Sequence, residues 1–254
     1  MYCTKDIPLR RKHSLFELIL SFLTVAAMKC SLSIIVPSHN ESQNLKRLLP
    51  ELVETLSPLG DGYEIIVVDN ASTDETQETL RILSQRFSNI RRVYEPEKGF
   101  GRALLRGLRE GKGAVLGYIH ADNQMSPEEI IRIYQKLVAH NLAVCKATRV
   151  NRNDGIWRFV VSKVYNVFFR LLFRVNMRDI NGSPKMFTRK FFEDARLESL
   201  DWFIDPEIVI KAEKMKTRIG ELEIRTFRRK SGVSQVRLTT ILEFVKNMLR
   251  YWRK

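Results

Sequence analysis

Cysteine is scarce in this chain of 254 residues: Cys3, Cys30 and Cys145 stand far apart, with no close pairing and no metal-ligand spacing. That excludes a disulfide framework and a structural zinc site, and it fits a reducing compartment. Acid is also in short supply, 29 Asp and Glu against 43 Lys and Arg, for a formal net charge of +14. The partners are therefore expected to be anionic, although charge alone does not choose between nucleic acid, an acidic membrane and a phosphorylated substrate. After Gly99-Phe100-Gly101 the third glycine of a dinucleotide fingerprint is missing, and Ala103 and Leu104 stand there instead. Dehydrogenase chemistry is correspondingly disfavoured. From Ser31 onward no apolar run is long enough and uncharged enough to cross a bilayer.

What is present suits one large globular body: the length fits a single domain, and 44% hydrophobic residues can bury a substantial core. Residues 1–28 carry Lys5, Arg10, Arg11 and Lys12, then an apolar run from Leu15 to Ala27 broken by Glu17. The segment has the outline of a signal peptide, but a strand begins almost at once, at Ser31. It is read as an appended basic, amphipathic helix, with Met28 as an alternative initiator.

From Ser31 the pattern repeats as strand, polar loop, helix. Leu32 to Val36 is a β-branched run stopped by Pro37, followed by Ser38-His39-Asn40-Glu41 and a helical pattern from Asn44. Glu64 to Val68 reads as a strand buried on both faces, ending in Asp69-Asn70-Ala71-Ser72-Thr73-Asp74, with Thr73 or Asp74 placed to cap the next helix. Ile90 to Tyr94 leads to Lys98-Gly99, and Ala114 to Ile119 leads to His120-Ala121-Asp122-Asn123-Gln124. Such alternation predicts a mostly parallel sheet covered by helices on both faces, with ligands bound beyond the carboxyl ends of the strands. Asn40, Asp69 and Asp122 should converge there.

Four ordered stretches, SIIVPSHNE, EIIVVDNASTDET, KGFGRALLRG and HADNQMSPEE, resemble the inverting GT-A glycosyltransferases of family two, especially dolichyl- and polyprenyl-phosphate sugar synthases. The similarity runs from Ser31 to Val236, so residues 29–236 are expected to form a GT-A catalytic domain. It implies that Pro37, Asn40, Glu41 and Asp69 hold the nucleoside of a nucleotide sugar, beside Lys98 and Gly99. It also implies that Asp122 and Gln124, together with His120 where the family usually has a first aspartate, hold Mn²⁺ or Mg²⁺ on the donor diphosphate, the alternative being that His120 hydrogen-bonds phosphate directly. Asn70 and Ala71 likewise replace a common aspartate and glycine. Arg149 takes the place of an arginine near the phosphates, and Arg228, Arg229 and Ser234 belong to a basic loop, in which Gln235 replaces a lysine. Asp179 begins a segment resembling one that shapes the donor or acceptor pocket. Asp205 opens a helix and is either its cap or a contact in the sugar site.

Ile156 to Met177 reads as an amphipathic helix whose Arg158, Ser162, Asn166, Arg170 and Arg174 recur every four residues, drifting by about 40° per step into one polar stripe. A broad apolar face beside cations suits a helix lying in a membrane surface, and a core helix is the alternative. Residues 237–254 read as a second amphipathic helix. Since the basic residues are tied to apolar faces and not interleaved with a stacking motif, nucleic acid is not expected.

The resemblance thus implies a peripheral enzyme on the cytoplasmic side of a membrane. It would move a sugar from a nucleotide diphosphate to a polyprenyl phosphate such as dolichyl or undecaprenyl phosphate. The alternatives are transfer to a hydroxyl acceptor, with Asp205 as a candidate base, and non-catalytic nucleotide binding.

Overall fold

The computed structural model describes residues 31–150, 156–227 and 246–252. The N-terminal extension 1–28, the basic loop with Arg228, Arg229 and Ser234, and residues 237–245 of the expected C-terminal helix lie outside the described residues.

Seven strands form one sheet in the order β3-β2-β1-β4-β6-β5-β7. β1 (Leu32–Ser38), β2 (Tyr63–Asn70), β3 (Ile90–Glu95) and β4 (Val115–Tyr118) are mutually parallel. β6 (Lys185–Thr188) runs antiparallel to both neighbours, β4 and β5 (Val144–Val150), and β7 (Ile219–Arg225) pairs parallel to β5. The mostly parallel sheet expected from the alternation of strands and helices is therefore present, with one reversed strand.

Alternation along β1 shows how the sheet is buried. Leu32, Ile34 and Val36 face α1 (Ser42–Leu56), α2 (Thr76–Arg86) and α4 (Glu128–Ala139), in a core with Leu48, Leu52, Leu80 and Ile133. Ile35 faces the other way, into a core with Leu104 and Leu108 of α3 (Phe100–Glu110), Phe191 of α6 (Arg189–Ala195) and Ile208 of α7 (Ile204–Lys214). A third cluster joins Phe169 of α5 (Ile156–Phe173) to Phe203, Val209, and Met248 and Tyr251 of the helical segment 246–252.

Several boundaries differ from the sequence expectation, two of them for a visible reason. β1 continues through Pro37 to Ser38, with Pro37 opposite Val68. Pairing with β4 ends at Ile35, whose carbonyl accepts from Ile119, so the donor missing from Pro37 falls where β4 has already ended. α5 stops at Phe173 and not Met177, because Arg174 turns into the left-handed region at φ 54°.

Candidate functional site

The carboxyl ends of β1, β2 and β4 each run into a loop with a non-glycine residue in the left-handed region: Asn40, Ala71 and Asn123, at φ 56°, 52° and 54°. Side chains tie these loops together. Thr73 N donates to Asn40 Oδ1 at 2.7 Å, and Asn40 N donates to Ser72 Oγ at 3.0 Å. Glu41, buried, accepts from Asn44 Nδ2 at 2.5 Å, and Asn123 Nδ2 donates to the Asn44 carbonyl at 3.1 Å. One chain of polar contacts thus runs from the β2 loop through the β1 loop to the β4 loop.

Asp69 sits at the centre of this edge, buried. One carboxylate oxygen accepts from Ser72 N at 3.2 Å, while Oδ2 is buried without a hydrogen-bond partner. An acceptor in that state is costly unless a ligand donates to it. Asn70, the departure from the family pattern, has a structural occupation: its Nδ2 donates to the Glu97 carbonyl at 2.6 Å and its Oδ1 accepts from Gly99 N at 2.8 Å. It thereby fixes the turn carrying Lys98, which is exposed, and Gly99. A side chain at Gly101 would strike the Ser199 carbonyl at 2.3 Å, so this turn packs backbone to backbone against residues 199–201. Glu207 holds that facing loop, its carboxylate accepting from Ser199 N at 2.8 Å and from Glu198 N at 2.9 Å.

On the β4 loop, Asp122 is half-buried and accepts from Gln124 N at 3.2 Å. The Gln124 carbonyl accepts from Phe227 N at 2.8 Å. His120 lies in an aromatic stack: its ring faces Phe100 at 5.0 Å, and Phe100 faces Trp202 at 4.4 Å with the planes 8° apart. Burial pushes its imidazole below the ordinary value, against the pull of the Asp122 and Asp205 carboxylates, so the neutral ring is favoured. Among the described residues no group of three His, Cys, Asp or Glu could hold a metal alone. One carboxylate and one amide nevertheless fit a hard cation that takes its remaining ligands from a diphosphate and water.

Arg149, on β5, forms a two-pronged contact with Asp179, Nε to Oδ2 at 2.8 Å and an Nη to Oδ1 at 2.9 Å. Burial alone would raise the Asp179 carboxyl, but the Arg149 guanidinium holds it well below the usual carboxylate range. Asp205 is 4% exposed and accepts from both the Lys185 ammonium and the Tyr118 hydroxyl. Burial lowers Lys185 to about 8, with the Asp205 carboxylate opposing the shift.

The structure therefore brings Pro37, Asn40, Glu41, Asp69, Gly99, His120, Asp122 and Gln124 to one edge of the sheet. Sequence reasoning passed over the Phe100–Trp202 stack, Lys185 and the fully buried Lys146, whose Nζ lies 2.7 Å from Glu221.

A model of glycosyl transferase family 2 matches residues 33–196. The chain is 30% identical over 228 residues to a dolichol-phosphate mannosyltransferase of Pyrococcus furiosus, covering 86% of this chain and 62% of that protein. It is 32% identical over 159 residues to an undecaprenyl-phosphate 4-deoxy-4-formamido-L-arabinose transferase of Pseudomonas savastanoi pv. phaseolicola, covering 62% and 47%. Glycosyltransferase AglD of Haloferax volcanii is 26% identical over 231 residues, covering 87% and 36%. The chain thus spans between about a third and three fifths of the length of these relatives. Among solved structures, glucosyl-3-phosphoglycerate synthase of Mycobacterium tuberculosis with UDP superposes at TM-score 0.68 and 17% identity, covering 96% of this chain and 86% of that one. The same enzyme with Mn²⁺ and UDP-glucose gives 0.67 at 18%, covering 96% and 84%. These likenesses establish the GT-A fold.

Proposed function

The chain belongs to glycosyl transferase family 2, and from that premise we propose that it transfers a sugar, with inversion, from a nucleotide diphosphate to a polyprenyl phosphate at the cytoplasmic face of a membrane. The relatives named for dolichol-phosphate and undecaprenyl-phosphate transfer support the acceptor. The observation that carries the donor side is the unpartnered, buried Oδ2 of Asp69 at the edge where the β1, β2 and β4 loops are laced together.

Pro37, Asn40, Glu41 and Asp69 hold the nucleoside, with Gly99 and Lys98 beside it. Asp122 and Gln124 hold Mn²⁺ or Mg²⁺ with the diphosphate. When bound, that cation screens the negative charge that grows on the leaving nucleoside diphosphate. Arg149, with Arg228 and Arg229, keeps two anionic partners close enough to react. An acceptor phosphate oxygen is already anionic, so no strong base is required. This agrees with Asp205, the candidate base, being buried and already occupied by Lys185 and Tyr118.

Support for a lipid surface comes from α5 and segment 246–252. Val167, Phe168, Leu171, Leu249 and Trp252 are exposed, Leu171 to 75%, beside exposed Arg170, Arg174 and Arg250. Among the described residues no helix is long and apolar enough to cross a membrane.

The test is a transfer assay of the purified chain with a panel of nucleotide sugars and undecaprenyl or dolichyl phosphate, with and without Mn²⁺ or Mg²⁺. Cation-dependent formation of a polyprenyl-phosphate sugar is expected with at least one donor. Asp122→Ala should cut transfer by about 100-fold or more while leaving vesicle binding intact. Full activity in that variant would remove Asp122 from the site.

A further inference from the structure

We propose that Lys185 is a positioning residue for this reaction: acting through Asp205 and Tyr118, it fixes the floor from which the loop His120 to Gln124 departs, and with it the place of the donor diphosphate. The inference rests on the glycosyl-transfer function proposed above.

The first observation is a row across the sheet. Register pairing sets Tyr118 of β4 opposite Lys185 of β6, Lys185 opposite Lys146 of β5, and Lys146 opposite Glu221 of β7. Directly opposed residues share a face, so two fully buried ammonium groups stand side by side. Each has its own carboxylate. Lys146 is served by Glu221 at 2.7 Å and by the Asp179 carbonyl at 2.6 Å. The partner of Lys185 comes from outside the sheet, from Asp205 in the first turn of α7.

The second observation is what Asp205 holds besides Lys185. The same oxygen, Oδ1, accepts from the Tyr118 hydroxyl and from the Lys185 ammonium. Tyr118 is the last residue of β4, two before His120. A separate link reaches the same stretch from the same helix, since Trp202, just before α7, stacks on Phe100, which stacks on His120. The start of α7 therefore grips the end of β4 twice, once by charge and once by aromatic contact. The acidic loop begins where these grips end.

Stability alone gives a poor reason for the charged grip. A buried ion pair is commonly replaced by apolar groups of similar volume at no loss, whereas removing one partner strands the other charge. Lys185 and Tyr118 converge on the one oxygen Asp205 Oδ1, so the ammonium holds in place the acceptor on which the Tyr118 hydroxyl rests. An oriented Tyr118 follows. A shift of about 1 Å in a reacting group is enough to cost about 100-fold in rate.

The double variant Lys185→Met/Asp205→Asn removes both charges together, retains an acceptor for the Tyr118 hydroxyl, and avoids the stranded charge of the Lys185→Met single variant. Transfer kinetics are compared with wild type, using a donor from the panel that wild type accepts, alongside urea unfolding. The expected result is wild-type cooperativity of unfolding, kcat lower by about 30- to 100-fold and donor KM within about threefold of wild type. Wild-type kcat in the folded double variant would overturn the positioning role. So would a loss confined to KM, or a loss of activity that tracks loss of folded protein. If wild type itself transfers none of the panel, the proposed reaction fails and this inference fails with it. An active wild type with an equally active double variant removes the inference alone.

Discussion

Ala71 holds φ at 52°, in the loop where the family usually places glycine, and a side chain in the left-handed region is strained by about 1–2 kcal/mol. Ala71→Gly should therefore stabilise the protein. Part of the gain is returned as unfolded-chain entropy, leaving about 0.5–1 kcal/mol, measurable as a higher urea midpoint at an unchanged slope. Asp179 makes a different kind of prediction. Because its folded carboxyl is held below the unfolded value, the stabilisation it gives is complete above the unfolded pKa of about 3.9 and disappears as pH falls through the folded one. Asp179→Asn should cost about 3 kcal/mol at neutral pH, since it leaves Arg149 without its carboxylate. The gap between variant and wild type should stay level down to about pH 5 and narrow steadily below pH 4; a gap that does not change with pH would remove the ion pair as its cause. At this scale the sequence was enough to place the loops at one edge of the sheet. Asn40, Asp69 and Asp122 follow strands whose apolar runs fix their direction. It was silent on whether a carboxylate is open or occupied, which is why Asp69 and Asp205, alike as letters, differ so much in the fold: one keeps a bare oxygen and the other accepts from two buried donors.

Strands read from their apolar runs were legible, and β1, β2 and β4 lie close to their expected limits. Reversal of β6 was not, because a four-residue strand carries no mark of its direction and only its pairing with β4 and β5 sets it. The polar stripe expected along α5 is broken for a tertiary reason. Asn166 Oδ1 accepts from Ile180 N at 2.9 Å, so that position serves the core while Arg170 and Arg174 remain exposed. Its apolar residues divide in the same way, with Phe169 buried against Phe173 and Phe203 while Phe168 and Leu171 face outward. If the outward pair seats on lipid, Phe168→Glu/Leu171→Glu should weaken binding to anionic vesicles by at least about tenfold, given about 1.5–3 kcal/mol for burying each side chain. Cosedimentation measures this. Transfer to a short, water-soluble polyprenyl phosphate should be unaffected, which separates seating from catalysis.

Among the described residues of the molecule, cations are found both at the surface and deep in the sheet. The surplus of Lys and Arg suggested anionic partners from composition alone, and exposed cations do border the apolar face of α5 and segment 246–252. Two lysines were diverted from that surface into the sheet, where no pattern of composition could have located them. The placement of Lys185 depends on β6 entering the sheet at the edge where β4 ends, so that its first residue, and not its last, reaches the site. A slip of one residue in that strand would carry Pro184 or Met186 to the position opposite Tyr118 and turn the ammonium to the other face. The cation under the site is thus encoded as strand registry. A change in the length of the 179–184 approach, with every side chain of the site retained, would be enough to erase it.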